Sequence, residues 1–518
     1  MERQSEHKSS FEFLTPHQAW EELDFYRRKY YRKYAAPYSG KRSDLSATSE
    51  RGLFWNRPGK AKIHVPLAAD IAATSADLLF GEEPRFTCYD EKTEDGDTPA
   101  QQRLDELVEV NGMHGKLNEA AESASALGDI YLKLNWDAEG DTAPGLTVVQ
   151  PDSAWPEYLL GRLKGIHFFS LLKYEQQTKK TYRVYELYTP GMIYMKVFCG
   201  DDKNLGSEVQ NTEYLAALGF ESEIKPPIDD MLAVHIPNIR PNRAYRDLPL
   251  GRSDYDGLRG LMDSLDETMS SWIRDVRLAK ARTIVAAEYL RRKSKDMFKD
   301  GEYTYEFDED VETLVALDIN PETPGANGLT LSQFAIRANE HLETCKNLIR
   351  DIVTTSGYSP QTFGIDIQGS AESGTALHIR EKKSFSTCGK KQAYWTAPLQ
   401  KIMTAMLRLD AKLYNTAGVD ADVTVSVHFA DNSANDISTV AQSLHMLHSA
   451  QSASIEVRVR MLHPDWNEKK VMEEVERIKD EYGLGLDLAD PMYGDFAVGK
   501  KGQNPDMTSD KEDKEDDA

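Results

Sequence analysis

The sequence predicts an α+β fold, predominantly helical, in which two long helices bracket a small inserted module. Three observations carry this. Apolar residues at offsets of three and four mark two long amphipathic segments, 254–282 and 331–356. Short β-branched and aromatic runs crowd residues 130–236. At 518 residues and 40% hydrophobic content, the chain exceeds one simple core and has apolar material for about three modules.

Taken in order, 18-QAWEELDFYRRKYYRKYAAPYSG-40 reads as a helix with a basic, tyrosine-rich face, ended by Pro37 and Gly40. That face is either plain amphipathic surface or a patch for a partner. Residues 65–80 read as a helix stopped at 81-GEEP-84, with Gly81 as its cap and Pro84 as its barrier. A helix pair over 101–129 breaks near Gly112. The period then changes: IYLKLNW, LTVVQ, IHFFSLL, TYRVYELY and MIYMKVF read as strands up to about Ile236.

The first long helix places Leu258, Leu261, Met262, Leu265, Met269, Trp272, Ile273 and Val276 on one face. At 1.5 Å per residue it would form a rod of about 43 Å. The second carries Leu331, Phe334, Ala338, Leu342, Cys345, Ile349 and Ile352. Between them TIVAAEYL, a charged RRKSKDMFKDG, EYTYEFDEDVETLVALD and 320-NPETPG-325 read as a small α+β excursion between antiparallel rods. Helices over 372–387 and 390–416 follow, with Gly389 and Pro398 predicting a kink or interruption. A strand, 422-DVTVSVHF-429, and helices over 433–451 and 464–483 complete the ordered part. Beyond Asp490 the composition predicts disorder.

Composition excludes several classes. The net charge is −23, and residues 501–518 hold seven acids against three lysines. Tight grip on nucleic acid needs a basic face that neutralises phosphates, so the chain as a whole is not expected to clamp DNA, though DNA can slide past it. Cys88, Cys199, Cys345 and Cys388 are far apart with no CxxC pair, a pattern that suits reduced thiols better than disulfides or zinc. MERQSEHKSSFEF has no apolar h-region, and the most apolar run, residues 66–80, carries two aspartates and is too short for a bilayer.

Catalytic motifs are missing too. In 366-DIQGSAESGTALHIREKKSF-385, Ser370 and Ser373 lack the G-x-S-x-G frame of a nucleophile elbow, and no local partner orients His378. No GK pair is followed by Ser or Thr, and neither HExxH nor GxGxxG occurs. His445 and His448 share a helix without further ligands, and Asp308 and Asp310 sit in a charged turn. No catalytic residue, metal or cofactor is expected, and the chain does not read as an enzyme.

Four stretches in one order resemble the portal proteins of tailed bacteriophages, of the long-tailed, non-contractile type infecting Gram-positive hosts. They are a small-residue helix before G-x-x-P (70-DIAATSADLLFGEEPRF-86) and a helix before G-D-x-Y-x-K (119-EAAESASALGDIYLKLNWD-137). The third, 237-PNIRPNRAYRDLPLGRSDYDGLRGLMDSLDETMSSW-272, is similar to the family's N…G-x-S-D…L…L-D-x-L segment. The fourth is S-G-x-A-L, opening 373-SGTALHIREKKS-384. The likeness spans roughly 65–480; residues 1–60 fall outside it, and 140–235 match only in type.

The resemblance implies a twelve-fold ring at one capsid vertex, in the virion and, during assembly, in the host cytoplasm. It implies a wing at 65–252 after an N-terminal segment (1–64), stem helices at 253–282 and 330–356, and a clip at 283–329. A tunnel loop would cover 357–372, a long wing helix and strand 373–432, a crown 433–485 and an acidic tail 486–518. Implied partners are copies of itself, the terminase large subunit, head-completion and connector proteins, the major capsid and scaffold proteins, and duplex DNA without sequence specificity. No membrane is implied. In the loop, Gln361, Thr362, Gly364, Asp366, Gln368, Gly369 and Ser370 would face DNA, with glycine and serine giving compliance. Asp263, Asp266, Glu267, Arg274 and Arg277, off the apolar stripe, would face the lumen or neighbouring subunits. Arg291, Arg292, Lys293 and Lys295 form either a docking patch on the clip or a solvated basic turn. The alternatives are a non-conducting head scaffold or adaptor and, with no motif in its favour, a hydrolase.

Overall fold

The computed structural model describes residues 12–48, 62–89, 98–137, 140, 142–210, 221–279, 282–286, 314–317, 329–332, 336–365, 374–414, 419, 422–429, 437–463, 466 and 468–481. It divides into two units, 1–433 and 434–518.

The first unit opens with α1 (Pro16–Tyr26), started by a capping box in which Thr15 and Gln18 exchange side-chain and backbone bonds. A π-helical turn, Arg27–Tyr31, leads into α2 (Arg32–Ser39). Pro37 lies inside the last turn of α2, and the helix stops at Gly40, φ 64°. The expected tyrosine-rich surface is corrected: Tyr26, Tyr30, Tyr31 and Tyr34 are buried, while Glu21, Glu22, Phe25, Arg28, Lys29 and Arg32 are exposed. Aromatic rings supply the area that seats this helix on the sheet behind it.

After the short α3 (Arg42–Thr48), α4 (Leu67–Phe80) buries Ile71, Ala72, Ala76 and Phe80. Gly81 follows it in right-handed conformation, so it is no left-handed cap; a Cβ there would meet the Asp77 carbonyl at 2.4 Å. α5 (Pro99–Val110) and α6 (Met113–Leu127) are separated by Gly112, φ 56°, as the sequence predicts.

Three sheets follow. β1 (Arg85–Tyr89) pairs antiparallel with the distant β14 (Thr424–His428). β2 (Asp129–Asn135) lies between β3 (Gly145–Val149) and β10 (Ala233–Pro237), and six of its seven residues are buried. The larger sheet runs β4 (Ala154–Leu159), β5 (Arg162–Glu175), β6 (Lys180–Thr189), β7 (Met192–Gly200) and β8 (Ser207–Glu208). β9 (Glu223–Ile224) adds to β7.

The long helices are shorter than the apolar spacing suggests. α7 is Arg259–Leu278, 20 residues, or about 30 Å. Residues 254–257 form turns instead, with Gly257 at φ 80°. α8 is Ala338–Ser356; Leu331 lies in a strand, not in the helix. Between the two helices, β11 (Arg282–Ala286) pairs parallel with β12 (Leu314–Leu317) and antiparallel with β13 (Leu329–Ser332). α9 (Gly374–Leu413) runs for 40 residues through Gly389 and Pro398 without the expected interruption. Trp395, Leu399, Ile402, Met403 and Met406 bury that helix against α4, β10 and β14, packing that outweighs one missing N–H.

The second unit holds α10 (Ile437–Ser449), α11 (Ile455–Leu462) and α12 (Glu468–Glu481) around Val459, Val471 and Val475. The sequence reading missed α11, whose amide of Val457 is capped by Ser454. All four cysteines are free thiols, and among the described residues no helix is long and apolar enough to cross a membrane.

Candidate functional site: a helix pair and the anchored foot of a loop

α7 and α8 pack antiparallel along their apolar stripes. Met262 and Leu265 of α7 share a core with Cys345, Ile352 and Val353 of α8, and Met269, Trp272, Leu348 and Ile349 extend it. Farther out, His341 stacks on Trp272, centroids 6.1 Å apart and 10° from parallel. Asp275 accepts from Arg337 (2.7 Å) and His341 (3.0 Å). Those two donors, His341 first, hold the Asp275 carboxyl below its ordinary range. The same end leaves Val276, Leu278, Ile336 and Leu342 exposed.

At the other end lies a buried polar hub. Asp254 Oδ2 accepts from Lys391 Nζ (2.5 Å), Ser125 Oγ (2.5 Å) and Tyr358 Oη (2.7 Å), and Oδ1 accepts from Asn238 (2.8 Å). Lys391 also donates to Ser75 of α4. Burial raises the Asp254 carboxyl, but Lys391 and the neutral donors outweigh it and hold it below its ordinary range. Burial pushes Lys391 down, and Asp254 opposes that. Beside the hub, Gly251 donates to Asp129 (2.7 Å), and a Cβ on Gly251 would meet the Gly128 carbonyl at 2.1 Å. Glycine is required there by close approach of two backbones.

The hub grips the segment that leaves α8. That helix ends at Gly357, φ 107°, whose carbonyl accepts from Thr387 of α9 (2.6 Å). Ser384 of α9 accepts from the Ser359 amide (2.8 Å) and bonds the Thr362 hydroxyl (2.9 Å). Residues 357–363 are therefore fastened to α9 at several points.

The family model described as phage portal protein, SPP1 Gp6-like, matches residues 24–483. The chain belongs to that portal family. Similar solved structures include a chain from the neck of an empty GTA particle computed with C6 symmetry. It is 11% identical, TM-score 0.39, covering 77% of this chain and 90% of that one. Another comes from the virion of a native gene transfer agent particle: 12% identical, TM-score 0.36, covering 77% and 89%. A third, from the neck of a native GTA particle computed with C12 symmetry, is 11% identical, TM-score 0.39, covering 81% and 92%. Among curated proteins, nothing matches.

In this portal-family chain the expected site residues scatter. Gln361 and Thr362 are half-buried, and Thr362 is an anchor of the loop rather than a free group; Gly364, φ 70°, is exposed. Asp366, Gln368, Gly369 and Ser370 lie outside the described residues, as do Arg291, Arg292, Lys293 and Lys295. On α7, Glu267, Arg274 and Arg277 are exposed. Asp263 and Asp266 are corrected: both are 1% exposed, facing their own chain. Asp266 holds His64 (2.8 Å) and the Val65 amide (2.8 Å), and Asp263 faces Arg259 (3.4 Å). The strap at 62–66, ahead of α4, covers that face of the helix through His64 and Val65.

Sequence reasoning missed the hub. Its signal was present: Lys391 stands on the apolar stripe of its helix, three residues after Cys388 and four before Trp395. A cation at a core position needs a buried partner. Three of the four quoted motifs meet here, through Ser75, Gly128–Asp129 and Asn238…Gly251–Asp254.

Proposed function

We propose that copies of this chain close into a ring at one capsid vertex and that double-stranded DNA passes along its axis. The observation that carries this is the portal-family match over residues 24–483. Two physical features support it. Val276, Leu278, Ile336 and Leu342 stay exposed at one end of the α7–α8 pair, and a neighbouring copy would bury them at about 25 cal/mol per Å². A chain of net charge −23, repeated about an axis, presents a potential that repels phosphate and so favours passage over capture.

In this reading α7 and α8 are the stem, the three-stranded module between them is the clip, and residues 433–485 form the crown. Glu267, Arg274 and Arg277 line the lumen or the contact with a neighbour. The terminase large subunit and the head-completion proteins dock at the clip; capsid and scaffold proteins meet the wing. The loop after Gly364 reaches toward the duplex while its foot stays on α9. Deleting residues 364–371 is expected to leave rings intact and impair DNA packaging in a complementation assay. Normal genome filling by that mutant refutes the role given to the loop.

A further inference from the structure

We propose that a pocket between α1 and the β5–β6 hairpin binds a short acidic peptide segment that carries an apolar or aromatic side chain. The pocket has a volume of about 440 Å³. Its floor follows from strand alternation: Phe169 and Leu171 on β5 face the same side as Thr181 and Arg183 on β6, with Leu171 opposite Arg183 in the ladder. Trp20 of α1 closes the other side, set edge-on to Phe169 at 5.1 Å and fixed by its indole N–H to the Lys203 carbonyl (2.9 Å).

Two guanidiniums lie close to that indole. Arg183 lies 4.5 Å from the ring centroid, and Arg27, at the start of the π-helical turn, lies 5.5 Å from it. Arg183 is 7% exposed and donates to the Asp201 carbonyl (2.8 Å). Among the described residues neither arginine has a carboxylate within the 4.0 Å of an ion pair, although Asp24, Asp201 and Asp202 act on Arg183 from farther away. Burial and then the like charge of Arg27 push Arg183 below its ordinary value. The Thr181 hydroxyl, on a residue 4% exposed, has no hydrogen-bond partner among the described residues. Two forked cations are the donors that a carboxylate accepts from.

The rest of the pocket selects what the carboxylate is attached to. Leu171 is 67% exposed and Tyr174 51% exposed at the rim, beside the aromatic wall of Trp20 and Phe169. Apolar rim and cationic floor suit an extended peptide with a glutamate or aspartate next to a phenylalanine or leucine. Asp152 and Asp202, also in the lining, accept backbone N–H groups and disfavour a long acidic run. The concave shape admits an extended chain rather than the convex flank of a duplex.

The test uses the full chain and a fluorescein-labelled synthetic hexapeptide of alternating phenylalanine and glutamate, read by fluorescence anisotropy at low salt. Saturable binding is expected, weakened roughly tenfold or more by Arg27→Gln and by Arg183→Gln. The peptide with glutamine for glutamate should bind as weakly as the arginine variants allow. Circular dichroism checks each variant's fold; half-buried Arg27 carries the test if Arg183→Gln misfolds. Unchanged binding by Arg27→Gln, or equal binding of the glutamine peptide, overturns the proposal. So does displacement of the peptide by a short DNA duplex, which would assign the pocket to phosphate. None of these readouts depends on ring formation or packaging.

Discussion

Lys391 and Asp254 concentrate the physics of this fold at the scale of single side chains. Each is almost fully buried, so each would be costly alone; together, with Ser75, Ser125, Asn238 and Tyr358, they leave few donors or acceptors unspent. Lys391→Met removes the cation and leaves a buried carboxylate with neutral donors only. Such a break costs about 3–5 kcal/mol, to be read from urea unfolding at neutral pH. The double variant with Asp254→Asn should recover part of that loss. A change under about 1 kcal/mol in the single variant would contradict a structural role for the pair. The sequence made Lys391 visible as an anomaly on an apolar stripe. Asp254 was visible only as the last residue of the G-x-S-D element, with nothing in the local sequence to pair it with Lys391 137 positions away.

At the scale of elements, periodicity located both long helices, α7 and α8, but overran their ends. The apolar spacing extends α7 back to residue 254, yet residues 254–257 are held in turns by the hub and by Gly257. The stripe in α8 was read from Leu331, which pairs with Thr283 in a sheet instead. A strand and a helix share short apolar runs, and only pairing across the chain separates them. The pairing of β1 with β14 was illegible for the same reason. A further tie joins elements far apart in sequence: His64 bonds Asp266 of α7 (2.8 Å) and the Pro37 carbonyl of α2 (3.0 Å). Both neighbours only accept, so His64 satisfies both only as the imidazolium. Burial lowers its pKa, but Asp266 and the Pro37 carbonyl together outweigh burial and the nearby Arg259, and the net shift is upward from 6.5. From α2 the group facing it is that carbonyl; Asp266 and Arg259 face it from α7. A folded value above the unfolded one means that the stabilisation is complete below pH 6.5 and is lost as pH rises through the folded value. Unfolding free energy should therefore fall with rising pH above 6.5 in the wild type and not in His64→Gln. Parallel pH profiles would show that the clasp carries no charge.

For the whole molecule, the order of helices, strand-rich region, rod, module and rod was legible because amphipathic spacing survives any tertiary context. The buried motifs were legible only as a resemblance, since their meaning lies in contacts between residues more than a hundred positions apart. The central claim is that this chain is one segment of a ring, sealed along the α7–α8 pair. Native mass spectrometry of the purified full chain tests it most directly. A closed multi-copy species is predicted for the wild type, reduced to single chains by Val276→Asp with Leu342→Asp while circular dichroism stays native. A wild-type protein found only at single-chain mass, at the concentrations reached during assembly, would contradict it.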